Sequence, residues 1–483
     1  MALTITTTPQ DIHPVYSVNG IPVKAQSSIS GDYNLKLIFD LSVSTDGSGL
    51  VFNLANRNRI SCLPGSLTGR FNPAESLKNY LTYDFYPYTL TPTACTNSFA
   101  YYKINIGEEF STFQEFYQTQ NTLGFVQFDF SGTLTGVSVG DEITGKMDVA
   151  AFNPQYQNVW TATSVGSNYV VTNCPYFATP IFPETGYITR IMHLSQVISG
   201  KSVYNGTKQY YDNDEDWELR FNLTGSTSKF LTNYNVASKK FKIREEEAAT
   251  LSCILKSALA FPGYKIKYKT YDESDSQIGE YDLSFSATVA KLRFDIPTGT
   301  FNLKRITETN TLNSNVEPIF SSSVKRYTVQ VYYGSSAISQ LAQYQVVCSD
   351  NRYIPYRFAF LNLHGGIDYM TFDKKSYFTS KIKKENIDLY LDVDYNLGDR
   401  GETTTNVDVE EYTEIYTGFI SDEENVLIRE MAKSKEVYYL SNGQNSLYPI
   451  TVEVSDFTEK TTKNTNGLKQ YKIKFKYAYP NII

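Results

Sequence analysis

The 483-residue chain is long enough for about three domains and can bury sizeable cores without covalent staples. Its 41% hydrophobic and 20% charged residues are those of an ordinary folded protein, but 39 Tyr and 29 Phe against 2 Trp tilt it towards half-buried pleated surfaces. A formal net charge of -7 argues against a general nucleic-acid binder, which needs a basic excess to displace counterions.

Further exclusions follow from residue placement. The five cysteines, Cys62, Cys95, Cys174, Cys253 and Cys348, are odd in number and far apart, a pattern of reduced thiols and not of a disulfide framework. No run of about 18 apolar residues occurs, so no membrane-spanning helix is expected. The opening residues, MALTITTTPQDIHPVYSVNG, hold no basic leader and no apolar run, so no secretion signal is expected. Folding in a cytosol is the expectation, and the sequons at Asn205 and Asn222 read as chance in an Asn/Thr-rich chain.

In chain order, the first strand signal is Asn34–Leu41, with Leu35, Leu37 and Phe39 on one face. A second run covers Leu50–Leu54, and Pro73–Tyr80 reads as a helix opened by proline. Strands follow at Phe99–Ile106 and Phe125–Phe130. From Val137 the chain shortens its strands, with turns at Gly140-Asp141, Asn153-Pro154 and Gly166-Ser167-Asn168, as in a small barrel. Longer strands resume at Tyr187–Val197 and Trp217–Leu223, and Glu245–Ser257 reads as a short helix with acids in its first turn. Pro262-Gly263 predicts a turn and a boundary. Beyond it, Tyr264–Tyr271, Tyr281–Ala287, Ala290–Phe294, Tyr327–Tyr333 and Gln343–Cys348 read as a β-sandwich.

The last segment begins near Tyr356 with RFAFLNLHGGIDYMTF, a strand, a glycine turn and a strand. Its expected partner is Ile387–Tyr395, followed by a long polar strand at Thr403–Tyr416. Ser421 with Glu424 forms a capping-box pattern, and Leu427, Ile428 and Met431 give the helix that follows an apolar face as far as Lys433. Strands at Glu436–Leu440, Tyr448–Val454 and Tyr471–Tyr479 complete a helix-on-sheet unit. The expected fold class is therefore mainly β: multidomain β-sandwiches, a small inserted β-barrel module and a C-terminal α+β domain. The expected divisions are 1–136 continued at 187–257, 137–186, 258–350 and 351–483.

Two segments share a texture. YKIKYKTY at Tyr264–Tyr271 and YKIKFKYAY at Tyr471–Tyr479 both alternate lysine with apolar residues. Their flanks differ, so a half-buried antiparallel strand with one wet face explains both without duplication. An additional reading sets the lysine rows against acidic strips, such as Glu410-Glu411 or Asp422–Glu424, on a neighbouring copy. It makes Lys472, Lys474, Lys476, Tyr471, Glu410 and Glu411 candidate oligomer-interface residues.

No reaction chemistry stands out. His13, His193 and His364 lie in no metal-ligand spacing, and phosphate loops, dinucleotide fingerprints and nucleophile elbows are missing from the sequence. Asp212–Asp216 (DNDED) opens like a calcium loop, but Trp217 and Leu223 occupy the positions that need Gly and a bidentate Glu. It reads as a solvated acidic turn. No cofactor, no metal and no catalytic residue is expected.

Several segments carry a resemblance in order along the chain: HPVYSVNG, KFLTNYN, RFAFLNLHGGIDYMTF and YTGFISDEENVLIREMAKSKEVYYL, with VGDEI, NPQY and VVTNCPYF in the insert. They resemble tail structural proteins of bacteriophages that infect Bacteroidetes hosts, including crAss-like phages. Where those proteins often place an aromatic after the His-Gly-Gly turn, Ile367 stands here. The resemblance implies a virion tail component of ring, hub or baseplate type, made in the host bacterial cytoplasm. It implies a tail-tube-like C-terminal domain with Tyr471–Tyr479 near a subunit junction or on the ring surface. Its partners would be its own copies in a ring and other tail or portal-proximal proteins, with no specific nucleic acid. A receptor- or carbohydrate-binding protein at a tail tip is the alternative, and a hydrolase with a concealed carboxylate pair comes third.

Overall fold

The computed structural model describes residues 3–17, 20–27, 34–44, 49–62, 67–134, 136–147, 158–176, 185–208, 220–236, 238–255, 259–287, 292–348, 352–391, 393–441, 446–453 and 470–479. The fold is mainly β, built of several packed sheets, with helices at Ala74–Lys78, Thr300–Leu303 and Asp422–Lys433. No helix among the described residues is long and apolar enough to cross a membrane. The chain forms two units. The first holds Met1–Thr82, Asn97–Asn205 and Gln209–Tyr211; the second holds Tyr83–Thr96, Gly206–Lys208 and Asp212–Ile483.

In the first unit the strand Lys36–Ser44 lies between Asn53–Ser61 and the long strand Phe99–Thr122, antiparallel to both. Leu37, Phe39, Leu41 and Val43 pack in one core with Val23, Ala25 and Phe71 of a three-stranded sheet formed by Thr4–Thr7, Val23–Gln26 and Thr68–Phe71. Phe39 stacks on Phe71 at 5.2 Å. This is a sandwich, and Lys36–Ser44 is covered on both faces, with Ile38 and Asp40 buried as well as Leu37 and Phe39.

Past the sandwich, Phe99–Thr122 and Gly186–Lys208 enter a closed ring. Phe99–Thr122 pairs with Phe125–Phe130, which pairs with Tyr169–Pro175; Val159–Val165 and Glu142–Met147 follow, and Glu142–Met147 pairs with Gly186–Lys208. The two long strands close the ring by pairing with each other. Phe116, Phe128, Phe130, Ile143, Trp160 and Ile188 fill it, with Phe128 stacked on Trp160 at 4.7 Å. The segment 137–186 supplies three of the ring strands. The flanking strands complete it, since three hairpin strands alone would leave two edges unpaired.

The second unit is layered. Its outer sheet runs Lys240–Ile243, Ala342–Val346, Arg326–Tyr333, Leu259–Tyr271 and Gln277–Ala287. The next sheet holds Asn222–Leu223, Thr250–Leu255, Arg293–Pro297 and Thr93–Ala94. Across the gap the Tyr268 hydroxyl donates to the Pro297 carbonyl at 2.8 Å, and Phe285 packs on Phe294 at 5.8 Å. The third sheet runs Ile367–Phe372, Tyr356–Leu361, Val437–Leu440, Leu447–Glu453, Lys472–Tyr477, Glu402–Tyr416 and Ser376–Asp388. Buried polar groups join it to the second sheet: Arg293 donates to the Gly365 carbonyl at 2.8 Å and Arg357 to Glu247 at 2.9 Å. The helix Asp422–Lys433 lays Leu427, Ile428 and Met431 into one core with Phe358, Ile415, Ile473 and Phe475 of the third sheet.

Some expectations need correction. Glu245–Ser257 is not a helix: Thr250–Leu255 is a strand buried at every residue, because it is covered on both faces. Of the acids expected to serve a helix dipole, Glu246 meets Lys304 and Glu247 meets Arg357. Pro262-Gly263 lies within the strand Leu259–Tyr271, where the ladder shifts register between Leu259 and Tyr264. Ile387–Tyr395 is not the partner of the 356–372 hairpin: that partner is Val437–Leu440, which pairs with Tyr356–Leu361, while the next strand along the chain, Ser376–Asp388, pairs with Glu402–Tyr416 at the far edge of the sheet and a loop follows it. Tyr83–Thr96 and residues 212–257, placed by sequence in the N-terminal domain, belong to the second unit, where Thr93 and Ala94 pair with Asp295 and Phe294 and Thr250–Leu255 pairs with Arg293–Pro297. Asp212–Asp216 lies outside the described residues.

Candidate functional site: a projecting hairpin arm

The most exposed feature of the second unit grows out of its third sheet. Ser376–Asp388 and Glu402–Tyr416 pair antiparallel along their whole length. Only the base of this hairpin is held by a further strand: Lys472–Tyr477 pairs with Glu402–Tyr416 from Tyr416 to Thr413 and no farther. Among the described residues the ladder from Thr379 with Tyr412 to Asp388 with Glu402 has no third strand. That stem is about 33 Å long at roughly 3.3 Å per residue. Among the described residues both its outer edges present unpaired backbone groups of the kind that add a strand from another chain.

The alternation of the core runs on into the stem. Ile415, Ile473 and Phe475 point towards the helix and are buried. On the same face, stepping outward, come Val409 and Val407 on one strand and Phe378 and Ile382 on the other. Here no helix covers them: Phe378 is 66% exposed and Ile382 57%. A strip that would be core anywhere else on this sheet is a surface here.

The opposite face carries the predicted lysines, and each has an acidic neighbour within the chain. Glu414 takes Lys472 at 2.7 Å and Lys474 at 3.1 Å. Lys476 meets Glu410 at 3.1 Å and Glu453 at 3.2 Å. The hydrogen bond from Lys472 holds the Glu414 carboxyl below the usual range, and that from Lys476 does the same for Glu410. Glu411 points to the helix-side face, where the Ser380 hydroxyl donates to it at 3.5 Å. Tyr471 packs against the core beneath the helix. The other lysine row repeats the device. Lys265 meets Asp282 at 2.8 Å, Lys267 pairs with Glu280, and Lys269 meets Glu280 at 3.3 Å. The hydrogen bond from Lys267 pulls the Glu280 carboxyl down to about 2. The repeated texture is thus a lysine row laddered against acids on the neighbouring strand.

The loop at the end of the arm escaped the sequence reading. Tyr390 and Val393 are each 90% exposed and Leu397 wholly so. The signal was present in DLYLDVDYNLGDRG, where acids alternate with apolar residues, but that alternation reads equally well as a strand.

The histidines sit in structural settings. His364 is buried against Phe221 at 4.6 Å, with Nε2 2.6 Å from Asn233 Oδ1, and burial holds its imidazole down at about 3. His193 contacts Asp141, and His13 contacts the Gln10 carbonyl. Asp368, beneath the same helix, accepts from Thr232 at 3.0 Å and Asn362 at 2.9 Å, and burial pushes its carboxyl up to about 8. Among the described residues no cluster of three or more His, Cys, Asp or Glu is placed to hold a metal ion.

No protein-family model matches this chain, and no curated protein matches it. Among solved structures, the chain is similar to a glycosyl hydrolase family 2 member from Bacteroides cellulosilyticus at 9% identity and a TM-score of 0.13, over 70% of this chain and 36% of that one. A second such member, from strain DSM 14838, gives the same identity and TM-score over 70% and 38%. This chain spans little more than a third of the length of those structures. At that TM-score the likeness transfers neither architecture nor activity.

Proposed function

We propose that this chain is a non-enzymatic structural protein of a virion, assembling through its arm into a symmetric ring in a phage tail. The phage tail rests on the resemblance of its segments. The assembly rests on one observation: a two-stranded stem whose edges are both open among the described residues, with an apolar strip, Phe378, Ile382, Val407 and Val409, continuing the core face of its sheet. Such an element adds nothing to the core of its own chain and presents what a neighbour's sheet or apolar surface can cover. A stem that docks on a different surface of the next copy makes a heterologous contact, and a heterologous contact closes into a ring when its rotation allows. Electron microscopy of the purified chain, with light scattering, tests this. Rings of uniform size are expected, and a strict monomer at every concentration and salt would sink the reading.

A second reading, a receptor- or carbohydrate-binding protein, draws on a tyrosine patch. Tyr356, Tyr439, Tyr448 and Tyr477 lie in sequence on the helix-side face of the third sheet, with neighbouring ring centroids 5.7, 6.1 and 6.1 Å apart. None is fully buried, and ring faces beside phenol hydroxyls suit sugars. A glycan array without signal removes this reading.

A further inference from the structure

We infer that the loop at the end of the arm docks on a cationic protein surface with an apolar floor, carried by a chain other than this one; the inference rests on the structural reading above. Leu389, Tyr390, Leu391, Val393, Tyr395 and Leu397 are all exposed at the loop. Within residues 385–402 the sequence carries the acids Glu385, Asp388, Asp392, Asp394, Asp399 and Glu402 against the single cation Arg400. Asp399 accepts from the Asn396 backbone at 2.8 Å, but among the described residues none of these carboxylates has a cationic partner.

The rest of the arm shows what this chain does with acids it neutralises itself. Glu410 and Glu414 at the stem are each matched by lysines, and the Tyr264–Tyr271 strand matches Asp282 and Glu280 in the same way. At the loop the charge is left unmatched among the described residues, beside exposed apolar side chains. Charge complementarity therefore calls for lysine or arginine around an apolar pocket. A membrane is a poor occupant, since interleaved carboxylates resist transfer out of water and are repelled by anionic headgroups. Another copy is a poor one too: its lysine rows on Leu259–Tyr271 and Lys472–Tyr477 already meet acids of their own chain. The loop with the adjoining strand ends amounts to about 20 residues, one side of a standard interface.

The test uses the full chain with two variants. One neutralises charge: Asp388→Asn, Asp394→Asn and Glu402→Gln. The other removes apolar surface: Tyr390→Ser, Val393→Ser and Leu397→Ser. The probe is a labelled amphipathic lysine–leucine helical peptide, read by anisotropy, with a sequence-scrambled peptide as control. The wild type is expected to bind the amphipathic peptide, and each variant to weaken that binding at least about tenfold, a loss of roughly 1.4 kcal/mol. Both variants are expected to keep the wild-type melting temperature and self-association by light scattering. Equal peptide binding by all three proteins overturns the inference. So does loss of self-association in either variant, which makes the occupant another copy. Loop-dependent binding to neutral phosphatidylcholine vesicles also overturns it, in favour of a membrane. A chain that binds the peptide through the loop yet stays monomeric speaks against the ring alone.

Discussion

Asp368 shows how far a single residue departs from its ordinary chemistry here. Its carboxyl is pushed up to about 8, first by burial and then by the charge of Glu430. The unfolded chain ionises the same group near the ordinary value of about 4. Between those values the folded chain holds the extra proton, so this residue's contribution to stability falls as pH rises through that window. Asp368→Asn keeps an acceptor for Thr232 and removes the titration. Wild type is expected to lose stability relative to this variant between pH 5 and pH 9, on the order of a few kcal/mol, measured by urea unfolding. A constant difference across the range would contradict it. His364 works on the acid side. Its imidazole is held down by burial, so its contribution is lost as pH falls from about 6.5 towards about 3.

At the scale of elements, the helix Asp422–Lys433 and the arm depend on different physics. The helix begins at a complete capping box: the Glu424 N–H donates to the Ser421 hydroxyl at 3.3 Å, and the Ser421 N–H donates to the Glu424 carboxylate at 2.9 Å. Ser421→Ala is expected to cost about 1 kcal/mol in chemical unfolding, with the fold retained. The arm, by contrast, stands outside its sheet's core. Replacing Thr379–Tyr412 by an Asn-Gly turn joins Phe378 to its ladder partner Thr413. The melting temperature is expected to move by no more than about 4 °C, because Ile415, Ile473 and Phe475 stay in place. Self-association in light scattering is expected to disappear. A shortened chain that still assembles would move the interface elsewhere.

For the whole molecule the net charge of -7 acts between copies. Like-charged chains repel most at low ionic strength, where screening reaches farthest. The associated fraction is expected to rise from low to physiological salt in sedimentation. Binding of the cationic peptide to the arm loop is expected to fall over the same range. Salt therefore separates the two surfaces: one shared sign for both dependences would mean that they are not distinct.

Much of this was legible along the chain. Period-2 alternation gave the strands at Asn34–Leu41, Tyr264–Tyr271 and Tyr471–Tyr479, and Ser421 with Glu424 gave the last helix, because side-chain period and cap chemistry are local properties. Glu245–Ser257 misled, since a strand covered on both faces loses the alternation that would mark it. The candidate site was half visible. The lysines of Tyr471–Tyr479 could be named from sequence, but not that Glu414 and Glu410 of the same chain already meet them. Sequence by itself determined which faces of these strands are apolar, because that follows from residue identity and a fixed side-chain period. Only the tertiary structure decided which of those faces are covered, because cover depends on where a distant helix or strand stops: the helix shields Ile415 and Phe475, and leaves Phe378 and Ile382 in water.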